Sequence, residues 1–162
     1  MSNPSPTNAR MDGMDGMDGN AVRNAKELVE AFLHTLMIPD PEGARAFVAP
    51  DLRIRFTGGR VMRDPSECSA FNASRYAWVK KRFECTDVAS NASANEAVVY
   101  NTGTLHGAWL DGTPFEGNRY VDRYVIRHGR IVRMDVWNDS AEWLLVRAGL
   151  CEPWRSPMGG NP

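Results

Sequence analysis

Among the side chains able to move protons, Asp122 stands out, because Tyr120 and Tyr124 flank it at strand spacing in Tyr120-Val121-Asp122-Arg123-Tyr124. Aromatic neighbours desolvate a carboxylate and raise its pKa toward that of a useful general base. There are three histidines, His34, His106 and His128. Histidine titrates near neutrality and can relay a proton. His106 lies within a strand pattern, whereas His128 sits in a turn. Tyr76 could donate a proton to a substrate oxygen, and Asn138 could hydrogen-bond a carbonyl or enolate. No Ser-His-Asp or Cys-His arrangement is readable. Cys68 and Cys85 lack a local base, which disfavours nucleophilic catalysis.

Other features carry less chemistry. Lys80-Lys81-Arg82 reads as a solvated helix end, since no glycine-rich loop accompanies it to hold phosphate. The three Met-Asp-Gly triplets of residues 11–19 lack the ligand pattern and closing glutamate of a calcium loop. No metal or organic cofactor is expected. Three cysteines without C-x-x-C spacing argue against a disulfide framework or zinc knuckle and fit reduced cytosolic thiols. The N-terminus has no apolar core of a secretory signal, and no apolar run approaches the length of a membrane span. A cytoplasmic location is the expectation. With a net charge of −1 over 162 residues, no bulk electrostatics favour nucleic acid.

The chain length suits one domain. Residues 1–20 cannot bury an apolar face and read as a disordered tail, and 152–162, rich in proline and glycine, as a flexible one. The intervening 21–151 form the domain. Helical periodicity covers Asn24–Met37, and a short helix Glu42–Phe47 starts after Pro41. Leu52, Ile54 and Phe56 alternate with polar residues as a half-buried strand. Pro65–Val79 reads as helix and Arg82–Ser90 as strand. Ala97–Leu110, Asn118–Arg127 and Ile131–Asn138 are strands joined at Asp111-Gly112 and His128-Gly129. A helix over Ala141–Ala148 closes the domain. Helices first and an antiparallel meander after them give an α+β class.

That order, with Asp122 seven residues before Gly129 of Gly129-Arg130-Ile131-Val132, resembles the SnoaL-like branch of the nuclear transport factor 2-like superfamily. The resemblance implies a cone-shaped curved antiparallel sheet, roofed by N-terminal helices, with a pocket on its concave face. Relatives include polyketide cyclases, dehydratases, isomerases and non-catalytic binding modules. Most need no cofactor, and many are dimers. Aligned on the glycine turn, the inward face holds Asn118, Tyr120, Asp122 and Tyr124. It also holds Tyr100, Thr102, Thr104 and His106 from the preceding strand, and Met134, Val136 and Asn138 from the last. His34 would lie near the pocket wall. The epoxide-hydrolase branch's arginine and paired aspartates are missing at the aligned positions, near Thr102, Thr104 and Val136. The cyclase branch's last-strand acid is replaced by Val136.

The resemblance therefore implies a cofactor-independent lyase, isomerase or cyclase. Asp122 and His106 are the catalytic pair, acting on a mostly apolar substrate with a carbonyl or hydroxyl. Tyr76, Tyr100, Thr104, Tyr120, Tyr124, Met134, Val136 and Asn138 bind that substrate. Val136 at the acid position favours the alternative, a ligand-binding or dimerisation module. The outward face, with Trp109, Val121, Val125 and Trp137 among arginines, is expected to form a homodimer.

Overall fold

The computed structural model describes residues 19–91 and 96–152. The Met-Asp-Gly triplets up to Asp18, and nearly all of both terminal segments, lie outside the described residues. Gly19 and Asn20, expected in the tail, instead open the first helix.

The elements are α1 (Gly19–Met37), α2 (Pro41–Ala44), a 3-10 turn (Arg45–Phe47), β1 (Val48–Arg55), β2 (Val61–Met62), α3 (Pro65–Ala73), β3 (Tyr76–Asn91), β4 (Glu96–Trp109), β5 (Pro114–Arg127), β6 (Arg130–Asn138) and α4 (Ser140–Arg147). The strands form one sheet in the order β2-β1-β6-β5-β4-β3. This is the expected α+β cone with its curved, unclosed sheet. One pairing departs from an antiparallel meander: β1 runs parallel to β6.

Local chemistry explains most boundaries. Asp40 and Asp64 cap α2 and α3 through their carboxylates, and a proline follows each. His128-Gly129, both at positive φ, turn β5 into β6. The helix expected over Pro65–Val79 ends at Ala73, and Tyr76–Val79 instead begin β3. Tyr76 and Val79 are three apart, which mimics a helix face. A bulge between Tyr76 and Trp78 produces the same spacing in a strand. It turns Tyr76, Val79, Lys81 and Phe83 toward the interior and leaves Trp78 half exposed.

The same strand is creased against β4 at two glycines. A Cβ on Gly103 would stand 2.1 Å from the Arg82 carbonyl oxygen, and one on Gly107 2.2 Å from that of Trp78. Only glycine permits these approaches, and bulges lie beside both. The long strands therefore curl around α1.

α1 buries Ala25, Val29, Phe32 and Leu33 against Leu52, Ile54, Val99, Tyr124, Ile131 and Met134. Each fully buried large side chain contributes about 1.5–3 kcal/mol. A second cluster at the far end joins Tyr76, Leu105, Trp109, Phe115 and Tyr120, with Trp143 of α4 packed on it. Trp109 and Phe115 lie 4.6 Å apart between centroids. Trp109, expected on the outer face, is thus core, and Val125 is buried as well. Val121 and Trp137 do face outward, 41% and 48% exposed. Among the described residues no helix is long and apolar enough to cross a membrane.

Candidate functional site

Register decides which side chains meet. Asp122 of β5 lies opposite Asn101 of β4 and Val136 of β6. Tyr120 lies opposite Gly103 and Asn138, and Asn118 opposite Leu105. Directly paired residues share a sheet face. The inward set of β4 is therefore Val99, Asn101, Gly103 and Leu105, one residue out of step with the expected set. A one-residue slip inverts a whole strand.

The consequence falls on Tyr100, Thr104 and His106. Tyr100 is 38% exposed opposite Arg123, and Thr104 lies opposite Arg119, both on the outer face. His106 sits in the bulge between Leu105 and Gly107, opposite Lys80, with its ring edge-on to Trp78. No hydrogen bond joins it to Asp122 among the described residues. It lines an adjoining cavity with His34, Thr35, Met37, Ile38, Lys80 and Lys81, the last two and Met37 shared with the cavity described below, and its Nδ1 is buried without a partner among the described residues. The expected Asp122–His106 relay is not assembled.

Lysine takes the histidine's place. Lys81 Nζ lies 2.5 Å from Asp122 Oδ2, which also accepts from the Tyr124 hydroxyl at 2.9 Å. Asp122 is fully buried and its Oδ1 has no partner. The Lys81 ammonium rests 3.5 Å above the Tyr120 ring centre, a cation–π contact. Burial lowers the Lys81 pKa, and the Asp122 charge partly restores it. Burial pushes the hydroxyls of Tyr120 and Tyr124 up, so both are proton donors rather than phenolates.

A polar chain braces this centre. Tyr120 donates to Asn101 Oδ1 at 2.6 Å, Asn101 Nδ2 to Thr86 at 2.9 Å, and Thr86 to Glu30 of α1 at 2.8 Å. At the other end the Tyr76 and Ser140 hydroxyls are 2.7 Å apart, and Asn118 Nδ2 donates to Ser140. Asn118 Oδ1 is buried without a partner.

Between these ends lies a cavity open to solvent, with about 80 Å3 of space for the centres of water-sized spheres. Its apolar wall includes Leu33, Leu36, Phe56, Leu105 and Met134; its polar groups include Asn72, Arg75, Tyr76, Lys81, Tyr120 and Asn138. Of the expected binding residues, Tyr76, Tyr120, Met134 and Asn138 line it. Asn138 also accepts from the Ser140 amide as a turn residue. Tyr124 and Val136 belong to the core beneath. Asp122 stands behind Lys81 and Tyr120 rather than in the wall. Cys68 is in the wall, but burial pushes its thiol up to about 12, so it is inert.

Sequence reasoning missed Lys81, Asn101, Ser140 and Arg75. Lys81 was hidden by the helical assignment of its segment. Asn101 had one visible signal: it shares alternation with Val99 and Leu105, the more apolar face of β4.

Structural comparison places this architecture. Similar solved structures include a putative SnoaL-like polyketide cyclase from Jannaschia sp. (18% identity, 85% of this chain and 100% of that one, TM-score 0.63). An NTF2-like protein of unknown function from Burkholderia pseudomallei shares 19% identity over 76% of this chain and 95% of that one, with a TM-score of 0.61. TerC, crystallised with polyporic acid, shares 18% identity over 75% and 95%, with a TM-score of 0.59. At these identities the likeness concerns the fold. No curated protein matches the sequence. The family model for the SnoaL-like domain matches residues 29–134, from the buried face of α1 to Met134 at the cavity, and the chain belongs to that family.

Proposed function

We propose that this protein is a cofactor-independent lyase, isomerase or cyclase, acting on a small, mostly apolar molecule that carries a carbonyl or hydroxyl. The observation that carries this reading is Lys81 in the wall of a partly apolar cavity, paired with the buried Asp122 behind it. In its neutral form, Lys81 takes the proton alpha to the substrate carbonyl. The ammonium so formed faces the enolate and stabilises it electrostatically. Asp122 does not touch substrate; it positions Lys81 and fixes its charge. The Tyr76 hydroxyl, 3.1 Å from an Arg75 guanidinium nitrogen, can donate to the substrate oxygen. Returning the proton elsewhere isomerises the substrate, expelling a β-hydroxyl dehydrates it, and attack of the enolate carbon on a second carbonyl cyclises it. Relatives such as the Jannaschia protein, a putative SnoaL-like polyketide cyclase, favour the cyclase outcome.

The test is a mass-spectrometric screen of candidate carbonyl compounds in D2O with the wild type and Lys81→Met. Deuterium uptake or product formation that needs Lys81 supports the proposal, and unchanged turnover in Lys81→Met overturns it. A second reading, a non-catalytic binding module, draws on Val136 at the usual acid position and on an Asp122 screened from the cavity. It predicts bound ligands that never exchange protons. For assembly we propose a homodimer through the outer sheet face, where Trp78, Tyr100, Val121 and Trp137 are exposed. Light scattering at micromolar concentration giving a mass near 18 kDa would reject it.

A further inference from the structure

We infer that the ligand of this cavity carries a planar oxyanion, a carboxylate or an ionised enol, and that Arg75 selects it. The inference rests on the reading of this cavity as the ligand site. Its lining contains three cations, Arg75, Lys80 and Lys81, and no aspartate or glutamate. Lys81 is matched by Asp122 behind the wall. Lys80 is exposed to water. Among the described residues Arg75 has no carboxylate within ion-pair distance; Arg23, Arg53, Arg55, Arg60, Arg63 and Arg130 also lack one, but of these arginines only Arg75 lines the cavity.

Arg75 is also fixed in place. Its guanidinium lies 4.9 Å from the centre of the Phe71 ring and 5.2 Å from that of Tyr76. Among the described residues its one side-chain hydrogen bond goes to the Tyr76 hydroxyl. The backbone amide of Arg75 closes the turn after α3 on the Asn72 carbonyl, which anchors the base of the side chain. A guanidinium has five N–H donors in a rigid fork that matches a planar oxyanion in two-point contact. These contacts hold the guanidinium between the two rings, and the donors not used on Tyr76 are left for a ligand. Arg75 and Lys81 stand six residues apart along one chain segment, on different parts of the wall. The ligand's anion is therefore held away from the carbon that loses its proton. An enolate at Lys81 and a carboxylate at Arg75 each have their own cation.

The experiment is isothermal titration of the full chain with 2-naphthoate and with its neutral counterpart 2-naphthamide. The naphthoate should bind at least ~10-fold more tightly, and raising ionic strength from about 20 mM to about 0.5 M should shrink that ratio. Arg75→Gln should bring the ratio close to one while changing amide affinity little, and Arg75→Lys should keep part of it. Equal binding of the two probes, no binding of either, or a preference that survives Arg75→Gln overturns the inference. The outcome separates from that of the catalytic reading. An amide-preferring cavity whose turnover still needs Lys81 sinks only the oxyanion, and a naphthoate-preferring cavity indifferent to Lys81→Met sinks only the catalysis.

Discussion

Asp122 and Asp135 sit on neighbouring strands, both buried, on opposite faces of one sheet. Asp135 faces outward between two arginines: Arg133 Nε is 2.8 Å from it and Arg133 Nη2 3.0 Å, while Arg123 Nη1 is 3.4 Å away. Both of its oxygens are engaged. Asp122 faces inward with Lys81 and Tyr124 on one oxygen and nothing on the other. The outer carboxylate is a finished clamp between strands. The inner one keeps unspent acceptor capacity behind the lysine that lines the cavity, in a place where an unsatisfied group is costly. Buried charge alone does not distinguish a site from a brace; incomplete satisfaction behind a cavity-lining partner does.

The sharpest way to break this contrast is Lys81→Met. Turnover should fall by roughly 10²–10⁴. The uncompensated Asp122 should cost about 3–5 kcal/mol in denaturant titration. Adding Asp122→Asn to it should recover most of that stability and none of the activity. A double variant as unstable as the single one would show that the lysine's packing, not its charge, matters.

Asp122→Asn alone should lose less turnover, under about 10². Its signature is the pH profile. The carboxylate holds the Lys81 pKa up, so removing it should move the rise of activity to lower pH. An unmoved profile would deny Asp122 its positioning role. Asp135→Asn should cost about 1–3 kcal/mol, because two arginines lose their partner, while turnover stays that of the wild type. A turnover loss there would erase the distinction between the faces.

Stability against pH gives a smaller effect with a definite sign. Lys81 has a folded pKa below its ordinary 10.5, so between the two values the unfolded chain binds more protons. Stability from this group therefore rises with pH through that window. The raised tyrosines act oppositely only above about 10, where the unfolded chain ionises first. As pH approaches 10 from below, the stability slope of the wild type should therefore lie above that of Lys81→Met. The smallest effect is expected from His106→Gln, whose turnover should stay within about twofold of the wild type. A large loss would put the histidine back in the chemistry.

The class, the strand order of the last three strands, the turns and the inward face of β5 and β6 were legible because alternation there is clean and glycine marks the turns. Asp122, Tyr120 and Met134 followed from that alternation. β4 was not legible: Tyr100, Thr102 and Thr104 look like a strand face as good as Val99, Asn101 and Leu105, and two glycines blank the true one. β3 was obscured by its bulge, which imitates helical spacing and so concealed Lys81. Pairing of β1 with β6 has no local signature, since its partners lie about eighty residues apart.

That parallel pairing orders the birth of the molecule. β1 borders β6 on one side and only the two-residue β2 on the other. The segment from Val48 to Ala73 has little sheet to join until the last strand has been synthesised. Closing so long a loop carries its entropic cost before any contact rewards it. Phe56, Cys68 and Asn72 of the cavity come from this segment or its flank, so the cavity comes into being with that closure. A ligand that fits it acts as a latch on the final assembly step. It should slow unfolding more than it speeds folding, protecting the finished protein without helping the nascent chain.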